Sequence, residues 1–76
     1  MFTKRLGLSP QDLNFCAHGC PDILEMENGD FAVIGTDITG EASGQLPAGS
    51  GCAPAERIIR IPRQLLIRAR RDIPTA

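Results

Sequence analysis

Tryptophan and tyrosine are absent from these 76 residues, phenylalanine occurs three times and histidine once. Without aromatic rings interleaved among its basic residues, the chain lacks the stacking platforms that hold single-stranded nucleic acid. One histidine and no cofactor fingerprint leave no nucleophile with a base and an orienting third group, so the expectation is that it is not an enzyme. No apolar run reaches the length of a signal peptide or a membrane helix, which reads as a cytoplasmic protein with no membrane partner. The three cysteines, an odd number, fit reduced thiols better than a disulfide framework.

What is present is a modest aliphatic inventory, with 42% hydrophobic residues and a net charge of -1. That is enough for one small domain, 1–76, but a chain of this size buries only about 60% of its surface. A metal, a partner or a second copy would add stability. The small net charge hides an asymmetry: seven of the nine acids (Asp12, Asp22, Glu25, Glu27, Asp30, Asp37, Glu41) lie within the first 41 residues. Arg57, Arg60, Arg63, Arg68, Arg70 and Arg71 crowd the end. Either the two halves neutralise each other or the basic end meets an acidic partner.

The stretch Glu27 to Thr39, ENGDFAVIGTDIT, carries the strongest local signal. Asn28-Gly29 suits a two-residue hairpin turn. That turn sets Met26 opposite Phe31, Leu24 opposite Val33 and Ile23 opposite Ile34, with Leu24, Met26, Phe31 and Val33 as the core face. It also sets Glu27 opposite Asp30, a small like-charge penalty. Before the hairpin, Met1 to Leu8 reads as a loose arm or edge strand, and Ser9-Pro10 as a helix start ended by Gly19 and Pro21. After it, Ile38, Ala42 and Leu46 recur at a helical spacing, capped by Asp37 or Thr39. Leu46 to Pro54 is a loop. Glu56 to Ile61 reads as a third strand joining the sheet. Pro62 then opens a helix to about Asp72, with Leu65, Leu66, Ala69 and Ile73 as its apolar stripe and Ile67 pointing away.

The candidate sites are few. Cys16, His18, Cys20 and Cys52 have the chemistry of a Cys3His zinc set, although His18 between two cysteines is not the usual spacing. The plainer reading is small buried cysteines beside an exposed histidine, in which case no cofactor is bound. A redox pair, Cys20 with Cys52 or Cys16 with Cys20, is a lesser alternative. The hairpin carboxylates are explained by a solvated tip, since no calcium-loop pattern accompanies them. The arginines divide into two readings: Arg57, Arg60 and Arg63 as phosphate contacts, or Arg63, Ile67, Arg70 and Arg71 as a protein-docking face. Against both stands a solvated helix face neutralised by the acidic hairpin.

The segment RIIRIPRQLLIRARRDI, residues 57–73, resembles the strand-proline-helix element of swapped-hairpin antitoxins and transition-state regulators, which implies a dimeric DNA-binding protein. Here the acidic hairpin precedes that element, whereas in that family it follows. More of the chain, Cys20 to Ile73, resembles small actinobacterial accessory proteins encoded beside helix-turn-helix regulators, which implies a regulatory module working through protein contacts. The expectation is therefore an α+β fold, a small antiparallel sheet built on a β-hairpin with a C-terminal helix packed on one face. Its expected partner is another protein or a second copy, with nucleic acid as the alternative and no small-molecule substrate.

Overall fold

The computed structural model describes residues 1–7 and 21–75. The helix expected from Ser9 falls outside them, as do Cys16, His18 and Cys20. The described chain is α+β. Strands β1 (Phe2–Arg5), β2 (Asp22–Met26) and β3 (Phe31–Ile34) form an antiparallel sheet in the order β1-β2-β3. A separate antiparallel pair joins β4 (Thr36–Asp37) to β5 (Ile59–Arg60). One turn of helix, α1 (Thr39–Ala42), continues as a 3-10 turn, and α2 (Arg63–Ala69) packs on one face of the larger sheet and runs into a 3-10 turn over Arg70–Asp72.

The hairpin forms where its turn residues predict, one register step away from expectation. Glu25 pairs with Phe31, Leu24 with Ala32 and Ile23 with Val33. The cause is the turn: the Gly29 N–H donates to the Met26 carbonyl (3.0 Å), the Met26 N–H donates to the Asp30 carbonyl (2.8 Å), and Gly29 takes φ +93°. This is a three-residue loop with a glycine bulge rather than a two-residue turn. Asn28 Oδ1 accepts the Asp30 N–H at 3.0 Å, holding the bulge, and Glu27 reaches the Met1 amino group instead of lying opposite Asp30. The slip relieves the like-charge pairing and re-sorts the faces. Ile23, Glu25, Phe31 and Val33 now share one face, and Asp22, Leu24, Met26, Ala32 and Ile34 the other.

The face that α2 covers is the one bearing Ile23. Leu6, whose N–H extends the β1 ladder to the Ile23 carbonyl (2.9 Å), is buried with Ile23, Leu65 and Ala69, and Ile61 packs at the margin. The expected helix stripe is accordingly narrower: Leu65 and Ala69, four residues apart, are fully buried, whereas Leu66 is 55% and Ile73 42% exposed. The third strand of the sheet is β1, not Glu56 to Ile61, of which only Ile59 and Arg60 are strand, paired in the small second sheet. The fork lies at Gly35. A Cβ there would fall 2.5 Å from the Arg60 carbonyl oxygen and 2.7 Å from Ile59 Cγ2. Only glycine lets the chain leaving β3 pass so close to β5. Pro62 stops β5 and stands as the N-cap of α2 with extended backbone (φ -62°, ψ 144°).

Two polar ties brace the sheet. Arg5 Nε meets both Asp22 oxygens at 3.0 and 2.9 Å, and Asp22 Oδ1 also accepts the Ile23 N–H, so this buried carboxylate is satisfied. At the other corner the Gly7 N–H donates to Asp72 Oδ2 at 2.7 Å, tying the end of β1 to the turn after α2.

Chemical denaturation of point variants tests this packing. Leu65→Ala is expected to cost about 2–5 kcal/mol, and Leu66→Ala no more than about 0.5 kcal/mol, since only the first leaves a cavity. Gly35→Ala is expected to cost about 1–3 kcal/mol because its methyl meets the Arg60 carbonyl oxygen, a main-chain atom with no rotamer to take, as well as the γ-methyls of Ile59 and Ile61.

Candidate partner-binding surface on the C-terminal helix

Burial of Leu65 and Ala69 fixes the rotation of α2. At 100° per residue, Ile67 then points away from the sheet, flanked by Arg63, Arg70 and Arg71. Ile67 is 43% exposed and the neighbouring Leu66 more so, an apolar surface set among guanidinium groups. A shallow cleft of about 430 Å³ opens beside it, lined by Gly7, Gln64, Ile67, Arg68, Arg70, Arg71 and Asp72. Three of the four residues expected at a docking face, Ile67, Arg70 and Arg71, meet there. Arg63 is exposed at the first turn of α2 and does not line it. Arg68 does, although its sequence position marks it only as a charge favoured by the helix C-terminus; Gln64, Ile67, Arg68 and Arg71, at the i, i+3, i+4 and i+7 spacing of one helical stripe, all line it.

The acids that could neutralise these arginines are engaged elsewhere. Glu27 binds the Met1 amino group, Glu25 Oε1 accepts from the Thr3 hydroxyl (3.2 Å), Asp22 holds Arg5, and Asp37 lies 3.9 Å from Arg57. Asp72, next to the arginines in sequence, accepts the Gly7 amide. Among the described residues, no carboxylate lies within ion-pair distance of Arg63, Arg68, Arg70 or Arg71. The acidic hairpin therefore does not cover the basic helix.

The alternative trio, Arg57, Arg60 and Arg63, is organised differently. Arg57 faces Asp37 across solvent, a long and exposed pair of little energetic weight. Arg60 sits on β5, where it borders a second hollow with Pro21, Thr36, Ile61 and Pro62. Asp37 also organises the start of α1, where its Oδ1 accepts the Thr39 hydroxyl (2.6 Å) and the Thr39 N–H (3.0 Å). The same hydroxyl accepts the Ile58 N–H (2.8 Å), so Thr39 links α1 to the approach of β5. The Thr39 hydroxyl, then its N–H, then Arg57 hold the Asp37 carboxyl below the ordinary aspartate value of 3.8.

Of the zinc candidates only Cys52 is among the described residues; its thiol donates to the Glu56 carbonyl at 3.3 Å, and the other three ligands lie outside them. No helix of the described residues is long and apolar enough to cross a membrane. Comparison with protein-family models, with curated proteins and with solved structures gives no match to this chain.

Because its folded-state pKa is lowered, Asp37 contributes stability above the unfolded value, and that contribution is lost as pH falls through the folded one. A carboxyl-carbon NMR titration should place its midpoint below 3.8, and Thr39→Val should move it back toward that value. The same variant should cost about 1–3 kcal/mol by leaving the half-buried Ile58 N–H without a partner.

Proposed function

We propose that this chain is a non-enzymatic regulatory or accessory module that binds an acidic segment of a protein partner in the cytoplasm, using the arginine-rich outer surface of α2. The observation that carries the reading is the set of arginines around exposed Ile67 with no carboxylate within ion-pair distance among the described residues, the neighbouring Asp72 being bound to the Gly7 amide. Apolar side chains supply area, and arginine forks supply paired hydrogen bonds to carboxylates. A partner helix or strand with a leucine or isoleucine between acidic residues matches both features. The regulatory character rests on the resemblance of Cys20 to Ile73 to accessory proteins encoded beside regulators, and the absence of catalysis on the residue inventory. Direct binding of duplex DNA through Arg57, Arg60 and Arg63 is the second reading; the Asp37 carboxylate beside Arg57 weighs against it, because a phosphate would have to displace it.

A fluorescent Glu- and Leu-rich helical peptide serves as the probe. Polarisation titrations should show saturable binding that weakens at least about tenfold when Arg70 and Arg71 are both replaced by Glu, with the circular dichroism spectrum unchanged. Unaltered binding by that variant would remove α2 as the contact surface. A duplex DNA probe that binds the wild type, loses affinity steeply with salt and depends on Arg60 would decide for the second reading.

A further inference from the structure

We propose that β3 is the contact edge of a symmetric dimer, pairing antiparallel with β3 of a second copy of this chain. The inference is independent of the arginine surface and rests on backbone direction. Ile23 accepts from Leu6 on the β1 side, and Met26 donates to Asp30 on the β3 side. Alternation along an antiparallel ladder then turns the N–H and C=O groups of Ala32 and Ile34 toward β2, and those of Phe31 and Val33 outward. Among the described residues, nothing pairs with that outer edge.

The two edges of the sheet are unlike. β1 carries Lys4 and Arg5 and is irregular between Phe2 and Lys4, features that discourage a further strand. β3 reads FAVI, without charge, proline or irregularity, and Phe31, Val33 and Ile34 are 45%, 45% and 48% exposed. One receptive edge and one blocked edge per chain make association stop at two copies, because a head-to-tail stack would need both.

The strand is also self-complementary. A two-fold axis normal to the sheet keeps each face on its own side, so outward-facing Phe31 exchanges hydrogen bonds with Val33 of the second copy. Ala32 meets its own counterpart on the axis, in the closer type of pair, about 4.5 Å between Cα atoms, where a methyl fits. Phe31 packs against the opposing Val33 on the helix-bearing face, and the two Asp30 carboxylates stay about 13 Å apart at the usual rise per residue. The product is one sheet of six strands, three from each chain, with both copies of α2 on the same side. The need for it is visible in the core: the described residues bury four apolar side chains and leave eight large ones exposed, three of them on β3.

Light scattering on the eluting protein should give twice the 8.2 kDa chain mass at micromolar concentration and above. Val33→Pro removes an outward N–H that β2 does not use, and Val33→Lys adds a charge to an exposed position; both should run at the single-chain mass with an unchanged circular dichroism spectrum. If the proline variant does not fold, the lysine variant decides. In the wild-type dimer the Phe31 and Val33 amides should resist hydrogen exchange. A wild type of single-chain mass, a dimer that survives Val33→Lys, or a dimer whose Phe31 and Val33 amides exchange like loop amides would each overturn the proposal.

Discussion

The fold depends on one close approach, that of α2 to the end of β1. A Cβ on Gly7, which adopts φ +75°, would stand 2.9 Å from the Ala69 nitrogen and from the Arg68 carbonyl carbon. The missing side chain at Gly7 and the single methyl of Ala69 let Leu65 drop onto Leu6 and Ile23, the only place where helix and sheet share a fully buried interior among the described residues. The Gly7 amide then reaches Asp72, so the contact that buries the core also anchors the chain beyond the helix. From this seating follows the rotation of α2, and from the rotation follows which arginines face outward.

A core of this size leaves much of the apolar inventory uncovered, and its distribution is uneven. Phe31 and Val33 share the sheet face with Ile23 but sit on the strand next to the one that α2 reaches. Ile34 lies on the opposite face, and Leu66 and Ile67 lie on the outer half of the helix. Charge is apportioned with similar locality. Asp22, Glu25 and Glu27 are each engaged within the sheet or at its tip, which leaves the basic helix to whatever approaches from outside. The molecule thus presents a polarised surface, with an apolar strand edge and a cationic helix on separate elements.

Much of the architecture is legible from residue order. The hairpin at Asn28-Gly29, the short helix after Asp37, the loop after Leu46 and the helix following Pro62 all reflect local chemistry: glycine's left-handed freedom, the Asp37 carboxylate that accepts the Thr39 N–H, proline's fixed φ. The departures share a cause. The register differs by one because Asn28-Gly29 can serve a two-residue turn or a bulged three-residue loop, and the side-chain bond of Asn28 to the Asp30 amide favours the second, which residue types alone do not reveal. Leu66 reads as core because a helical stripe has soft margins; the width of the cover, here one strand and the end of β1, sets how much of it is buried. Glu56 to Ile61 reads as a sheet strand by pattern, but which sheet it joins depends on the narrow crossing at Gly35. Of the residues that line the cleft beside α2, Ile67, Arg70 and Arg71 are identifiable by their outward position on the helix, whereas Arg68 lies toward its flank and lines the cleft beside Gly7 at the end of β1.

Sequence by itself determined the elements, the segregation of acids from arginines and the outward direction of Ile67, because these depend on interactions within a few residues or on simple periodicity. Tertiary structure decided the recruitment of Phe2–Arg5 as the third strand and the pairing of the hairpin acids with groups other than the arginines of α2. Those outcomes depend on which distant groups come within a few ångströms, and a charge or a strand edge carries no label for its partner until packing brings one near.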